Sequence, residues 1–170
     1  QQLRQLFGMV LQETWLQSGT IRENLLLGNP NATDEEIQQV LIQCQLDKMI
    51  GKLPQGLETP LHRQGEDFSQ GQRQLLSIAR VMLSKPSMLI LDEATSSIDT
   101  RTELKIQQAF QTLMEGKTSF IVAHRLSTIQ NADKILVLKD GQVIEQGIHE
   151  ELIAQQGFYQ HLYQSQFMNE

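Results

Sequence analysis

Asp92 and Glu93 close the apolar run "SMLILDE" at 87–93. Two adjacent carboxylates at the C-terminal end of a buried strand stand where open α/β sheets place their ligands. Burying such charge is costly unless it is paired or bound to a metal. Asp92 there suits Mg2+, held largely through water because Mg2+ gives up its hydration shell reluctantly. Glu93, one residue on, can orient and polarise an attacking water. A strand ending in a solvated acidic turn has the same pattern. His124 follows "SFIVA", and Gln12 follows "MVL". An imidazole at a strand end can contact a γ-phosphate or hold a catalytic acid in place, and the Gln12 amide can ligate Mg2+ or the attacking water. Each of these two, taken alone, is more simply a satisfied polar residue. Together, three strand ends deliver phosphate- or metal-competent groups to one edge of a sheet.

A fourth feature is "FSQGQRQLLSIARVML" at 68–83. Ser69 and Gln72 have the spacing of a capping box, in which a hydroxyl and a side chain three residues later satisfy each other's backbone N–H. Gly71 costs about 1 kcal/mol against alanine in such a position. A cap does not need that glycine, whereas close approach of the backbone to a ligand does. A helix start also offers free N–H groups and the positive end of the dipole, which together bind anions. The Ser69 hydroxyl, Gly71 N–H and Gln72 amide can converge on phosphate oxygens. Helix cap and phosphate clamp both remain open on these residues.

Elements must position these groups. A chain of 170 residues can bury one real core. Residues 6–12 read as a short strand. From about 20 to 85 the pattern is helical. "TIRE" and "TDEE" each set Thr three residues ahead of Glu, and Ile37, Val40, Leu41 and Cys44 then form one apolar face, which makes Cys44 a core residue. Residues 53–67 are loop-rich. After Pro86, "SMLILDEAT", "TSFIVAH" and "KILVLKDG" are apolar runs without alternation, as in parallel strands covered on both faces. A helix near 100–115 separates the first two, and the rhythm says α/β. "DGQVIEQG" is a turn into an edge strand, and the tail reads as one or two amphipathic helices.

With 14 Lys+Arg against 20 Asp+Glu, the formal charge of −6 argues against a nucleic-acid-coating surface. The single cysteine rules out an internal disulfide and fits a reducing compartment. No apolar run approaches the ~20 residues that cross a bilayer, and the N-terminus lacks the apolar core of a signal peptide. The chain begins with Gln and enters an apolar stretch almost at once, so it is expected to be a piece of something longer.

"FSQGQRQLLSIARVML", "MLILDE" and "SSID" resemble, in order, the signature motif, Walker B strand and D-loop of an ABC-type ATPase. Gln12 is similar to the Q-loop glutamine, and His124 in "IVAHRLSTI" to the switch histidine. "SGTIRENLLLG" and "GQVIEQGIHEEL" resemble the exporter branch, in which the ATPase is fused to membrane-spanning helices. The resemblance covers nearly all 170 residues.

It implies a P-loop NTPase-like α/β fold with a mostly parallel sheet. The α/β core is expected over about 1–18 and 87–170, the latter with the C-terminal helices, and an inserted helical subdomain over about 19–86. It implies ATP and Mg2+ as ligands. It implies two such domains closing head to tail, as homo- or heterodimer, around two ATP molecules. Ser69, Gly71 and Gln72 would then serve the partner's ATP. Asp92 would hold Mg2+, Glu93 would be the general base, and His124 and Gln12 would sense the γ-phosphate. Asp99 would lie on the D-loop and communicate across the dimer, and it is also placed to cap the following helix. Trp15 and Leu16 would help to meet a membrane-spanning domain, although Trp15 reads equally well as core. Export from the cytoplasmic face of the plasma membrane, of a multidrug, lipid or peptide substrate, is the implied activity.

The sequence departs from the family in one main respect. The pattern Gly, four residues, Gly-Lys-Ser/Thr is absent. "GKT" at 116–118 is a decoy, since Gln111 stands where the first Gly belongs and the motif leads into a strand. The resemblance implies that the phosphate cradle and the adenine-stacking aromatic would lie further upstream in the domain, and the chain alone is expected to hydrolyse ATP negligibly. Gln70 replaces the usual Gly of the signature, and Pro60 an acid often found in exporters. The alternatives are a soluble ABC-type ATPase acting on nucleic acid, and an inert dimerisation remnant.

Overall fold

The computed structural model describes residues 6–11, 14–61, 65–92, 98–123 and 129–167. They form two compact units, 1–122 and 123–170. In chain order the first holds β1 (Phe7–Val10), β2 (Gly19–Thr20), α1 (Ile21–Leu26), α2 (Asp34–Gln43), α3 (Asp47–Ile50), a 3-10 turn (Gly56–Glu58), β3 (Pro60–Leu61), α4 (Gln70–Leu83), β4 (Met88–Asp92), α5 (Thr100–Met114) and β5 (Thr118–Val122). The second holds β6 (Ile135–Lys139), β7 (Gln142–Gly147), α6 (His149–Ala154) and α7 (Phe158–Phe167).

The sheet that positions the site has the order β1-β4-β5, with both pairs parallel. The β4–α5–β5 stretch is a parallel crossover unit. Val10, Leu89 and Leu91 point into one core with Ile106, Ala109, Phe110 and Leu113 of α5. The opposite face differs from the expectation of strands buried on both sides. Met9, Phe120 and Val122 are each about half exposed there, because no described element of the unit covers them.

The caps form as the spacing predicts. In α1, Thr20 N–H donates to Glu23 Oε2 at 2.7 Å and Glu23 N–H to Thr20 Oγ1 at 3.1 Å. In α2 the pair Thr33 and Glu36 does the same. Ile37, Val40, Leu41 and Cys44 are buried as one face. Helix α4 lies against α1, α2, α5 and β1, with Leu75, Leu76, Ile78, Ala79, Val81 and Leu83 buried. That closeness depends on missing side chains. A Cβ on Gly8 of β1 would lie 2.7 Å from both Val81 Cγ1 and Pro86 Cγ, and one on Gly28 only 2.0 Å from the Arg80 carbonyl oxygen.

In the second unit, the described partner of β6 is antiparallel, where its apolar run predicts a parallel strand. That partner is β7, with an irregularity between Val137 and Leu138. The reason is local: Asp140 and Gly141 both take positive φ, 50° and 76°, and close a two-residue hairpin of the type that Asp-Gly favours. Ile135, Val137, Leu152 and Tyr159 form its core. Glu145 of β7 accepts the backbone N–H groups of Phe158 (2.5 Å) and Tyr159 (2.9 Å), capping α7 with a carboxylate. No helix among the described residues is long and apolar enough to cross a membrane.

Candidate functional site

The register fixes where the strands end. Val10 pairs with Leu91, and Asp92 with Val122, so the three strands stop level at their C-terminal edge. Asp92 is the last residue of β4 and half-buried. Gln12, Glu93 and His124 come within two residues of these ends and lie outside the described residues. The structure therefore aligns the three strand ends at one edge and describes, among the strand-end residues, Asp92.

At the start of α4, Ser69 N–H donates to Gln72 Oε1 at 2.9 Å and Gln72 N–H donates to Ser69 Oγ at 3.2 Å. The capping box is real. What it leaves over matters more. Both bonds use acceptors, the serine oxygen and the amide oxygen. The Ser69 O–H and the Gln72 Nε2 hydrogens remain as donors. The first backbone N–H groups, of Gln70 and Gly71, have no partner within a helix either. In α1 and α2 the same capping position holds Glu23 and Glu36, whose carboxylates bring negative charge to the turn. The first turn of α4 carries no acid. Its own first turn thus brings no negative charge to the positive dipole end and lines it with donors, which suits a phosphate.

Gly71 has a packing role as well. It is buried, and a Cβ there would lie 2.3 Å from Thr102 Cγ2 and 3.2 Å from Ile98 Cγ2. The glycine lets α4 lie closely against α5. That contact sets the first turns of α4 and α5 side by side. Asp99, the N-cap of α5, accepts from Thr102 N–H at 3.0 Å. Hydrogen bonds from the Thr102 side chain and backbone lower its pKa. The structure therefore places Ser69, Gly71 and Gln72 on one helix turn and sets Gly71 against Ile98 and Thr102, the residues on either side of the Asp99 cap. The donor set of the α4 turn fits phosphate oxygens, and a carboxylate such as that of Asp92 fits a hard divalent cation.

Residues 15–17 separate what the sequence leaves joined. Trp15 is 51 % exposed and Leu16 is 1 % exposed. Leu16 is core and so falls outside any docking surface, while Trp15 is free to meet a partner. Sequence reasoning missed the residues that hold this segment, Asn24 and Arg80. The signal for Asn24 was an amide beside Ile21 and Leu25 on the buried face of α1, whereas Arg80 stands on the polar side of α4 and carried no such signal. A groove of about 420 Å3, lined by residues that include Glu36, Met82, Lys85, Leu113 and Lys117, lies at the C-terminal ends of α4 and α5. It is at the far end of α4 from Ser69 and is not part of this site.

The ABC transporter family matches residues 1–96. Among curated relatives, the chain is 54 % identical over 165 residues to an uncharacterized ABC transporter ATP-binding protein, YfiC, of Bacillus subtilis (strain 168), covering 97 % of the chain and 27 % of that protein. It is 52 % identical over 159 residues to a fatty acid ABC transporter ATP-binding/permease protein of Mycobacterium bovis, covering 94 % of the chain and 25 % of the relative. A putative multidrug export ATP-binding/permease protein of Staphylococcus aureus is 50 % identical over 164 residues, 96 % of the chain and 28 % of its own length. Among solved structures, a bacterial Atm1-family ABC exporter with ATP bound superimposes with a TM-score of 0.87 at 36 % identity, over 96 % of the chain and 29 % of that protein. The chain thus spans about a quarter of the length of the curated relatives it matches.

Proposed function

Because the chain belongs to the ABC transporter family, we propose that it is the greater part of the ATP-binding and hydrolysing domain of an exporter, coupling ATP hydrolysis to transmembrane export. The observation that carries this reading is the acid-free, donor-lined start of α4, set beside Asp99 and on the same compact unit as the level strand ends. The proposed substrate is of the multidrug, lipid or peptide class; the named relatives include fatty acid and multidrug transporters. The domain would work at the cytoplasmic face of the plasma membrane, against a membrane-spanning domain and a second ATPase domain arranged head to tail.

In this reading Ser69 O–H, Gly71 N–H and Gln72 Nε2 bind the γ-phosphate of the ATP held by the partner domain. Asp92 and Gln12 would hold Mg2+, which would supply charge neutralisation to the phosphates. Glu93 takes the proton of the attacking water as general base. His124 and Gln12 orient the γ-phosphate and that water, and Asp99 links the two sites across the dimer. The chain alone lacks the Gly-x-x-x-x-Gly-Lys-Ser/Thr pattern, and we propose that by itself it turns over ATP negligibly.

Gln72→Glu tests the reading in the complete transporter. The substitution keeps the cap, since α1 and α2 use Glu at the same position, and sets a carboxylate against phosphate. The expected result is an unchanged melting temperature with ATPase turnover down by about a hundredfold, the scale of losing a donor to developing charge. Wild-type turnover in Gln72→Glu would refute the clamp.

A further inference from the structure

Residues 15–17 follow β1 in sequence but are bonded to the helices. Leu16 is buried, and a Cβ on Gly65 would lie 3.0 Å from its Cδ1. Asn24 of α1, only 3 % exposed, grips Gln17 at both backbone groups. Its Nδ2 donates to Gln17 O at 2.9 Å and to Thr20 O at 3.0 Å, and its Oδ1 accepts from Gln17 N–H at 2.8 Å. From α4, Arg80 Nη1 donates to Trp15 O at 3.1 Å and Nη2 to Ser77 Oγ at 3.4 Å.

Arg80 is the unusual member. Its guanidinium is half-buried, burial pushes its pKa down, and among the described residues it has no carboxylate partner. A partly desolvated cation whose partners among the described residues are a main-chain carbonyl and a serine is a poor way to fill space, since an apolar side chain would avoid the desolvation. The helix is closely packed at that point, since a Cβ on Gly28 would run into the Arg80 carbonyl. The charged donor therefore acts on the Trp15 carbonyl from a closely packed helix. The side chain so presented is an indole, 51 % exposed.

We infer that Arg80 is a positioning residue that ties the main chain at Trp15 to α4, so that the exposed indole moves with the helix. Ser69 stands eleven residues back on that helix, about 16 Å along its axis. A displacement of the α4 start is thereby delivered to residues 15–17 as a rigid-body movement. The use of that movement in transport rests on the function proposed above, whereas the tie itself does not.

Trp15 is the single tryptophan of the chain, so its emission reports on this segment alone. In the chain as it stands, Arg80→Met keeps an apolar stem and removes the donor. The expected result is a rise of about twofold in acrylamide quenching of Trp15 and a fall in its anisotropy, as a pinned segment becomes mobile, with helical circular dichroism unchanged. Arg80→Lys, which still donates to a carbonyl, restores most of the anisotropy. Unchanged quenching and anisotropy in folded Arg80→Met overturn the tie. If Arg80→Met does not fold, Ser77→Ala, which frees one arm of the guanidinium, lowers the anisotropy in the same direction; no change there overturns it equally. In the complete transporter, Arg80→Met lowers the substrate moved per ATP hydrolysed. A wild-type ratio, in a protein whose ATPase responds to Gln72→Glu, overturns the delivery of movement and leaves the function standing.

Discussion

Gln72 and Glu23 occupy equivalent positions, each three residues after a hydroxyl that starts a helix, and they differ by an amide against a carboxylate. Both satisfy the backbone equally well, so spacing alone reads them as the same cap. The residue type separates them, because only the amide leaves donors and no negative charge at the helix start. Cys44 shows the opposite case, in which spacing is enough. Its place at the end of an i, i+3, i+4, i+7 face puts it in the core, and it is buried completely. Burial pushes its thiol from 9.0 up to about 12, so at neutral pH it is a protonated thiol and not a nucleophile. Above pH 9 the unfolded chain loses this proton while the folded chain keeps it. The stability that the protonated thiol represents is therefore complete below pH 9 and is lost as pH rises toward 12. The melting temperature of the wild type should fall more steeply between pH 9 and 11 than that of Cys44→Ala. Parallel profiles for the two proteins would contradict this.

The helices and strands lie close to where their caps and apolar runs predict, from the capping boxes of α1 and α2 to α5 over Thr100–Met114. Those signals are local, carried by residues within a turn or two. The contact between α4 and α5 is not local. Gly71 and Thr102 are thirty-one positions apart, and nothing near Gly71 in sequence says that its missing Cβ makes room for a threonine methyl. Gly71→Ala should cost about 1–3 kcal/mol, as overpacking in a tight contact does. Thr102→Ser removes Cγ2 and keeps the hydroxyl beside Asp99. Denaturant melts of the double substitution should recover most of the loss, and a merely additive result would mean that the glycine is needed for another reason.

At the largest scale, the three-stranded sheet of the first unit leaves apolar side chains exposed. Met9, Leu11, Phe120 and Val122 are each about half exposed, on or just beyond strands of the β1-β4-β5 sheet, and apolar exposure on that scale favours association. Phe120→Thr keeps a strand-forming side chain and should lower both the fluorescence of a bound apolar dye and light scattering, without loss of ordered secondary structure. Equal dye binding in the variant would show that the sheet face is not the source. The amino-acid sequence was sufficient for the α/β class, the helix caps, the Asp-Gly hairpin turn and the burial of Cys44, because each follows from spacing and chirality over a few residues. It was sufficient as well for the order of the candidate motifs, since residue types in a row need no folding to be read. Folding in three dimensions was needed for the rest: which sheet face is left bare, why Gly71 is a glycine, that Leu16 is core while Trp15 is not, and that Arg80 reaches back sixty-five residues to the Trp15 carbonyl. These are relations between segments far apart in the chain, and they are set by which surfaces can be buried together, a property of the packed whole that no local pattern encodes.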